Sequence, residues 1–193
     1  DALKAPVVSY ISDDFYTNKQ FKFSPIFWIN HFLIRRRTRK TFRHYSLVYT
    51  MTDEQKVQCE RDFGANMKIL RKTGLFEDKY LKMNINSPIR FVYAGGIYLN
   101  RWKTLGALAD AMRKINKDGV KMVLDIYTNN PLDQKMQCAL NDGSTSNVHK
   151  TVSMTELMNI YHQSDVALHA EAFDLTNRFA VRMSFSTKIV DCL

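Results

Sequence analysis

The alternation of apolar strands with helical patterns along the 193 residues predicts a parallel, layered α/β fold in two successive series. Two further features agree with it. A stretch from Lys72 to Pro88, containing Gly74, Asn84, Asn86 and Ser87, breaks the series in the middle and reads as a domain boundary. Loops rich in small polar residues follow the strands, at the strand ends that hold the ligand in such sheets.

The first series opens with the apolar run Pro6–Ser12, a buried strand ending in Asp13 and Asp14. A polar, aromatic stretch from Phe15 to Ser24 follows. Pro25 then starts a helical pattern that runs to about Arg43, as expected for proline in a first helical turn. Leu47–Thr50 is a short strand. Thr52 stands before Asp53 and Glu54 and predicts a capped helix ending near Gly64. Met67–Leu70 closes the series as another short strand.

The second series starts with the strand Ile89–Ala94, followed directly by Gly95 and Gly96. A helix is expected from Trp102 to Asn116, because Leu105, Leu108, Ala109, Met112 and Ile115 share one face, and Gly119 ends it. Met122–Tyr127 is the next strand, with a helix over 131–140 after it. A brief strand is expected at Val148–Val152, a helix from Glu156 to Gln163 capped by Thr155, and a strand at Val166–His169. A last helix begins at Thr187 and runs to Leu193. The chain opens almost inside a strand and closes inside a helix, so it reads as a piece of a longer polypeptide.

Composition sets broad limits. Hydrophobic residues make up 45% and charged residues 24%, as in ordinary globular domains. The net charge of +9 favours anionic partners, and nucleic acid, an anionic membrane and a phosphorylated small molecule all suit it. Cys59, Cys138 and Cys192 lack zinc-ligand or redox spacing. Together with the lack of a signal peptide or of a run of about 20 apolar residues, this points to a reducing cytoplasm.

Three constellations carry candidate chemistry. Gly95–Gly96 lies between a strand and a helix, where a backbone free to turn sharply can approach a phosphate. Arg101 and Lys103 at the helix start could add positive charge. A plain tight turn with a solvated basic pair is the alternative, and neither a Gly-x-Gly-x-x-Gly fingerprint nor a Walker loop is present. The second constellation, His169 to Asp174, puts two acids and a histidine at the end of a strand. It suits hydrogen bonding to sugar hydroxyls, whereas an incidental acidic loop, with Asp174 capping a turn, is the alternative. The third is Ser184 to Asp191. Lys188 there falls in a first helical turn, where the dipole disfavours a cation unless an anion shares the site. A solvated lysine is the alternative.

Taken in order, these segments resemble the large retaining glycosyltransferase family of the GT-B kind, related to glycogen synthase-like and mannosyltransferase enzymes. Phe91 to Gly96, then Arg101 to Lys103 and a helix, resembles the entry to that family's C-terminal Rossmann-like domain. Val123–Thr128 is similar to its next strand, Thr151–Leu157 to its capped helix, and Ser164–Leu168 to its Ala-Asp-Val strand. Ser184–Leu193 looks like its nucleotide-sugar helix, and Tyr49–Glu54, Gly64 and Lys72–Gly74 look like the end of its N-terminal domain and linker.

The resemblance implies that 1–74 is the end of an N-terminal, acceptor-side Rossmann-like domain, 75–88 a linker, and 89–193 a truncated C-terminal domain binding nucleotide sugar. It implies transfer of a hexosyl group from a UDP- or GDP-linked donor to a glycan or lipid-linked acceptor in polysaccharide biosynthesis, with retention and without metal or other cofactor. This fragment alone is expected to be inactive. Glu171 and Lys188 would be catalytic. Gly95, Gly96, Arg101, Lys103, Thr128, Phe173, Asp174, Thr187, Lys188 and Asp191 would bind the donor. The sequence departs from the family in several respects: Gly96 stands where the family has Arg, Glu171 and Asp191 are twenty positions apart, a longer interval than the family's paired acids, Asp191 stands in place of the second Glu, and no Gly-x-Pro follows within the chain.

Residues 26–43 are apolar at one end (Phe27, Trp28, Ile29, Phe32, Leu33, Ile34) and basic at the other (Arg35, Arg36, Arg37, Arg39, Lys40, Arg43). A helix packed on its own domain is one reading, and a peripheral contact with the inner membrane face is the other. Two rival functions share the observations. A GT-B-fold sugar-nucleotide epimerase would use the same nucleotide site. A basic nucleic-acid-binding module would account for the charge, but the basic excess is concentrated in one helix and no nucleic-acid motif is visible, so no nucleic-acid partner is expected.

Overall fold

The computed structural model describes residues 5–13, 22–71, 73 and 84–191. The stretch 14–21, Lys72 and Gly74 of the expected boundary, and Cys192 lie outside the described residues. The chain forms two compact units, residues 1–73 with 174–190, and residues 74–173 with 191–193. Residues 174–190, which follow the second series in chain order, thus cluster with the first.

The first unit holds a parallel sheet in the order β1-β2-β3, made of β1 (Val8–Ile11), β2 (Leu47–Thr50) and β3 (Met67–Ile69). Helices α1 (Pro25–Phe42) and α2 (Asp53–Phe63) supply the crossovers. Ser24 caps α1 through its hydroxyl, which accepts from the Phe27 amide at 3.3 Å. Thr52 caps α2 as expected, accepting from the Gln55 amide at 3.1 Å, and Gly64 ends that helix with φ of 66°, a left-handed conformation natural to glycine. Phe42, Cys59 and Phe63 from the helices meet Ile11, Val48 and Met67 from the strands in one core, each large side chain contributing roughly 1.5–3 kcal/mol by burial.

Helix α6 (Leu175–Val181) and residues 188–190 of the short helix α7 (Lys188–Asp191) complete this unit. The Thr52 hydroxyl donates to the Met183 carbonyl at 3.0 Å, and the Ser184 hydroxyl donates to Asp13 at 2.9 Å. These bonds tie the α6–α7 segment to the strand-end loops of the first sheet.

The second unit has a parallel sheet in the order β6-β5-β4-β7, from β4 (Ile89–Ala94), β5 (Met122–Tyr127), β6 (Ser146–His149) and β7 (Val166–Leu168). Helices α3 (Arg101–Ile115) and α4 (Gln134–Leu140) pack Leu105, Ala109, Met112 and Leu140 against Tyr93, Leu124 and Ile126. Helix α5 (Met154–Gln163) connects β6 to β7. Asn116, at the end of α3, accepts from the Lys121 and Met122 amides and donates to the Met122 carbonyl and Thr145 hydroxyl, all within 3.1 Å. One side chain thereby fixes where the helix hands over to β5.

Some expected bounds move. The α5 cap is Ser153, whose hydroxyl accepts from the Glu156 amide at 3.3 Å, and not Thr155, which lies inside the helix. Helix α4 starts at Gln134 behind an Asp133 cap, because Asp133 offers its carboxylate to the Met136 amide. Strand β6 begins at Ser146, two residues earlier than expected.

Candidate functional site

Strand β4 lies between β5, which follows it, and β7, which comes last in the sheet's chain order. The order therefore reverses between β4 and β7, and in an open parallel sheet the crevice beyond the carboxyl ends of two such strands is the usual ligand position. Gly95 and Gly96 leave β4 at this place, and His169 to Glu171 leave β7 at the same place.

The two loops are joined by a bidentate ion pair. The Arg101 guanidinium donates through Nε and Nη2 to the two Glu171 oxygens at 2.8 and 2.9 Å. The Thr104 hydroxyl donates to the Glu171 carbonyl at 2.8 Å, and His169 Nε2 lies 3.4 Å from Glu171 Oε1. Both partners of the pair are largely covered, with side-chain exposures of 15% for Arg101 and 30% for Glu171. Such a fork holds both planes in register. Burial works against the charged guanidinium, but the Glu171 hydrogen bond and charge outweigh it and raise the Arg101 pKa. The Arg101 charge is thus matched within the crevice by Glu171, whereas sequence reading treated it only as a cation for a diphosphate.

The glycine turn is held from below. The Tyr93 hydroxyl donates to the Gly96 carbonyl at 2.7 Å, and Asn130 Oδ1 accepts from the Ile97 amide at 2.8 Å. Burial pushes the Tyr93 phenol up to about 12, so it stays protonated as a donor. Thr128 is buried and orients this support, since its hydroxyl lies 3.3 Å from both the Asn130 amide and Asn130 Oδ1. A Cβ at Gly96 would stand 2.2 Å from the Tyr98 ring and 3.3 Å from Asn130 Oδ1, so a larger residue there would have to displace the exposed Tyr98 side chain. Leu99 and Asn100 take φ of 55° and 64° immediately before α3, a tight path that brings Arg101 back over the turn. The Arg101 guanidinium also sits 5.3 Å from the Tyr98 ring centre.

The site residues named from sequence separate as follows. Gly95, Gly96, Arg101, Thr128 and Glu171 come together in this crevice. Lys103 is exposed, with its ammonium 5.8 Å from the Trp102 ring. Phe173 is 80% exposed. Asp174 caps α6: its carboxylate accepts from the Asn177 amide at 3.1 Å and from the Asn177 side-chain amide. Thr187 and Lys188 belong to the first unit, Lys188 as the first residue of α7, and Asp191 is the last residue of that helix. Tyr93 and Asn130, which support the turn, and Tyr98 and Thr104, which meet Arg101 and the Glu171 carbonyl, are not among the residues named from sequence. A Thr whose hydroxyl accepts from the amide two residues on is a recognisable Ser/Thr-turn signal, but what the Asn130 side chain holds is set only by the sheet.

On the opposite face of the same sheet, His149 Nε2 lies 2.8 Å from Asp125, Arg90 stands 3.4 Å from Asp125, and the His149 ring stacks on Tyr127 at 4.8 Å. Among the described residues, no three His, Cys, Asp or Glu side chains converge as a metal site. No described helix is long and apolar enough to cross a membrane.

The chain matches no protein-family model and no curated protein. It does resemble solved structures. TarM superposes with a TM-score of 0.58 at 11% identity over 84% of this chain and 31% of its own. The pneumococcal O-GlcNAc transferase GtfA, solved with UDP and GlcNAc, superposes with a TM-score of 0.53 at 14% identity over 89% of this chain and 34% of its own. The chain spans about a third of the length of these proteins. At such identities the likeness establishes the fold: Rossmann-like, parallel α/β architecture of the GT-B kind.

Proposed function

We propose that this chain carries the donor-binding part of a GT-B glycosyltransferase, which moves a hexosyl group from a UDP- or GDP-linked sugar to a glycan or lipid-linked acceptor. The observation that carries the reading is the Arg101–Glu171 fork lying across the β4–β7 crevice beside the Gly95–Gly96 turn. The fold likeness to an O-GlcNAc transferase solved with UDP and GlcNAc supports the same class.

The chemistry follows from the leaving group. Glycosyl transfer releases a nucleoside diphosphate, and negative charge grows on its oxygens as the sugar departs. A backbone able to approach closely at Gly96, and a guanidinium already oriented, stabilise that charge without reorganising. Glu171 fixes the guanidinium through Nε and Nη2, which leaves Nη1 as the nitrogen not used in the fork. The family resemblance assigns the Glu171 carboxylate to the sugar. The same resemblance alone assigns Lys188, the first residue of α7, to the donor diphosphate and Asp191 to the ribose. With cations supplied by side chains, the reaction runs without metal, and the family resemblance makes it retaining. The chain by itself binds donor and does not turn over.

Titration calorimetry tests this. The chain should bind UDP or GDP, with or without the sugar, and Arg101→Ala should weaken binding at least about tenfold, or ~1.4 kcal/mol. In the longer enzyme, Lys188→Ala should lower turnover by more than about tenfold. A chain that ignores both nucleotides but binds short oligonucleotides would replace this reading with the nucleic-acid one.

A further inference from the structure

Helix α1 presents a surface that the donor-site reading does not use. Its inner side is occupied: His31 and Phe42 are buried and Phe27 is half-buried. Arg35 pairs with Asp62 at 3.1 Å, and Arg39 donates to the Asp62 carbonyl at 2.7 and 3.0 Å, so the helix is fastened to the end of α2. At 100° per residue, the opposite side carries Ile26, Ile29, Phe32 and Leu33 in its first half, between 45% and 71% exposed. The same side carries Arg36, Arg37 and Lys40 in its second half and Arg43 at its C-cap, all exposed. From Lys22 to Arg43 there is no Asp or Glu.

We propose that this outer side of α1 docks the protein on an anionic lipid bilayer. Four large apolar side chains on a fixed helix are costly to leave in water, and a membrane interface takes them up together. The basic half lies along the same side, where it would face lipid phosphates, each Lys or Arg adding attraction within a Debye length. The charge decides between occupants. A second copy docking through the same side would set the four cations either against the partner's cations or, with the helices antiparallel, against its apolar side chains, where they lose water without gaining a counter-charge. Nucleic acid would match the cations but not the isoleucines and Phe32. The helix lies on the surface and does not cross it.

Vesicle co-sedimentation of the chain tests the proposal without any nucleotide, so its failure leaves the donor-site reading untouched. With about 30% phosphatidylglycerol in phosphatidylcholine, the chain should bind at least tenfold more tightly than to phosphatidylcholine alone. Arg36→Gln/Arg37→Gln/Lys40→Gln should lose a comparable factor, and so should Ile29→Ser/Phe32→Ser, since both halves act together. All five side chains are solvent-exposed, and thermal unfolding should confirm that both variants remain folded. A salt series on the unaltered chain stands apart from any variant: binding should fall between about 0.1 and 0.5 M NaCl. Equal binding to both vesicle types, a salt-independent signal, or a charge variant that binds as before would overturn the proposal. So would a dimer broken by Ile29→Ser/Phe32→Ser in a chain that ignores vesicles, which would assign the surface to a second copy.

Discussion

Arg101 and Glu171 hold each other in the described structure, so removing either one changes the charge of the crevice in opposite directions. Glu171→Gln leaves the guanidinium unmatched. On the donor-site reading, it should leave UDP or GDP affinity undiminished and steepen its salt dependence, whereas Arg101→Ala weakens affinity. Equal loss from both variants, measured by calorimetry at two salt concentrations, would mean that the pair serves only structure. Even largely covered, the pair keeps some contact with water, so its own contribution to stability is modest, about 1 kcal/mol or less. The residue types of this site were legible in the sequence, because a glycine pair after a strand and an acid after another strand are local signals. Their pairing was not. It depends on β7 lying beside β4, which no local pattern encodes.

Elements were legible to the extent that their signals were local. Strands β2, β4 and β5 coincide with the apolar runs, and Thr52 and Gly64 bound α2 as their chemistry requires. The α5 cap moved to Ser153 because Thr155 competes with an equally good hydroxyl two residues earlier. Helix α6 escaped sequence reading because it has seven residues and its Asp174 cap resembles an acid of the neighbouring loop. The turn between α4 and β6 gives a prediction at this scale. Asp142 accepts from the Ser144, Thr145 and Ser146 amides at 2.7–3.1 Å and pairs with Arg113 at 2.8 Å. Burial alone would raise its pKa, but Arg113 and those amides hold it well below the ordinary 3.8. A depressed folded value means that the stabilisation is present above pH 3.8 and is lost as pH falls through the folded value. Asp142→Asn should therefore lower the thermal midpoint by several degrees near pH 7, on the order of 1–3 kcal/mol, with the gap narrowing below pH 3.8. A gap of constant size across that range, in thermal scans, would contradict the assignment.

At the scale of the whole molecule, strand–helix alternation determined the class of fold, and each sheet is parallel as expected. Chain order was a poorer guide to grouping. Residues 174–190 cluster with the first sheet through Thr52 and Asp13, contacts more than 100 residues apart that only three-dimensional packing reveals. The donor-site reading can be located directly by amide and guanidinium NMR of the chain, titrated with UDP and with GDP. With one of the two, the Gly95, Gly96 and Ile97 amides and the Arg101 Nε–H should shift together and saturably, while the outer residues of α1 stay still. Shifts confined to α1, or none in the glycine turn at saturating nucleotide, would contradict it.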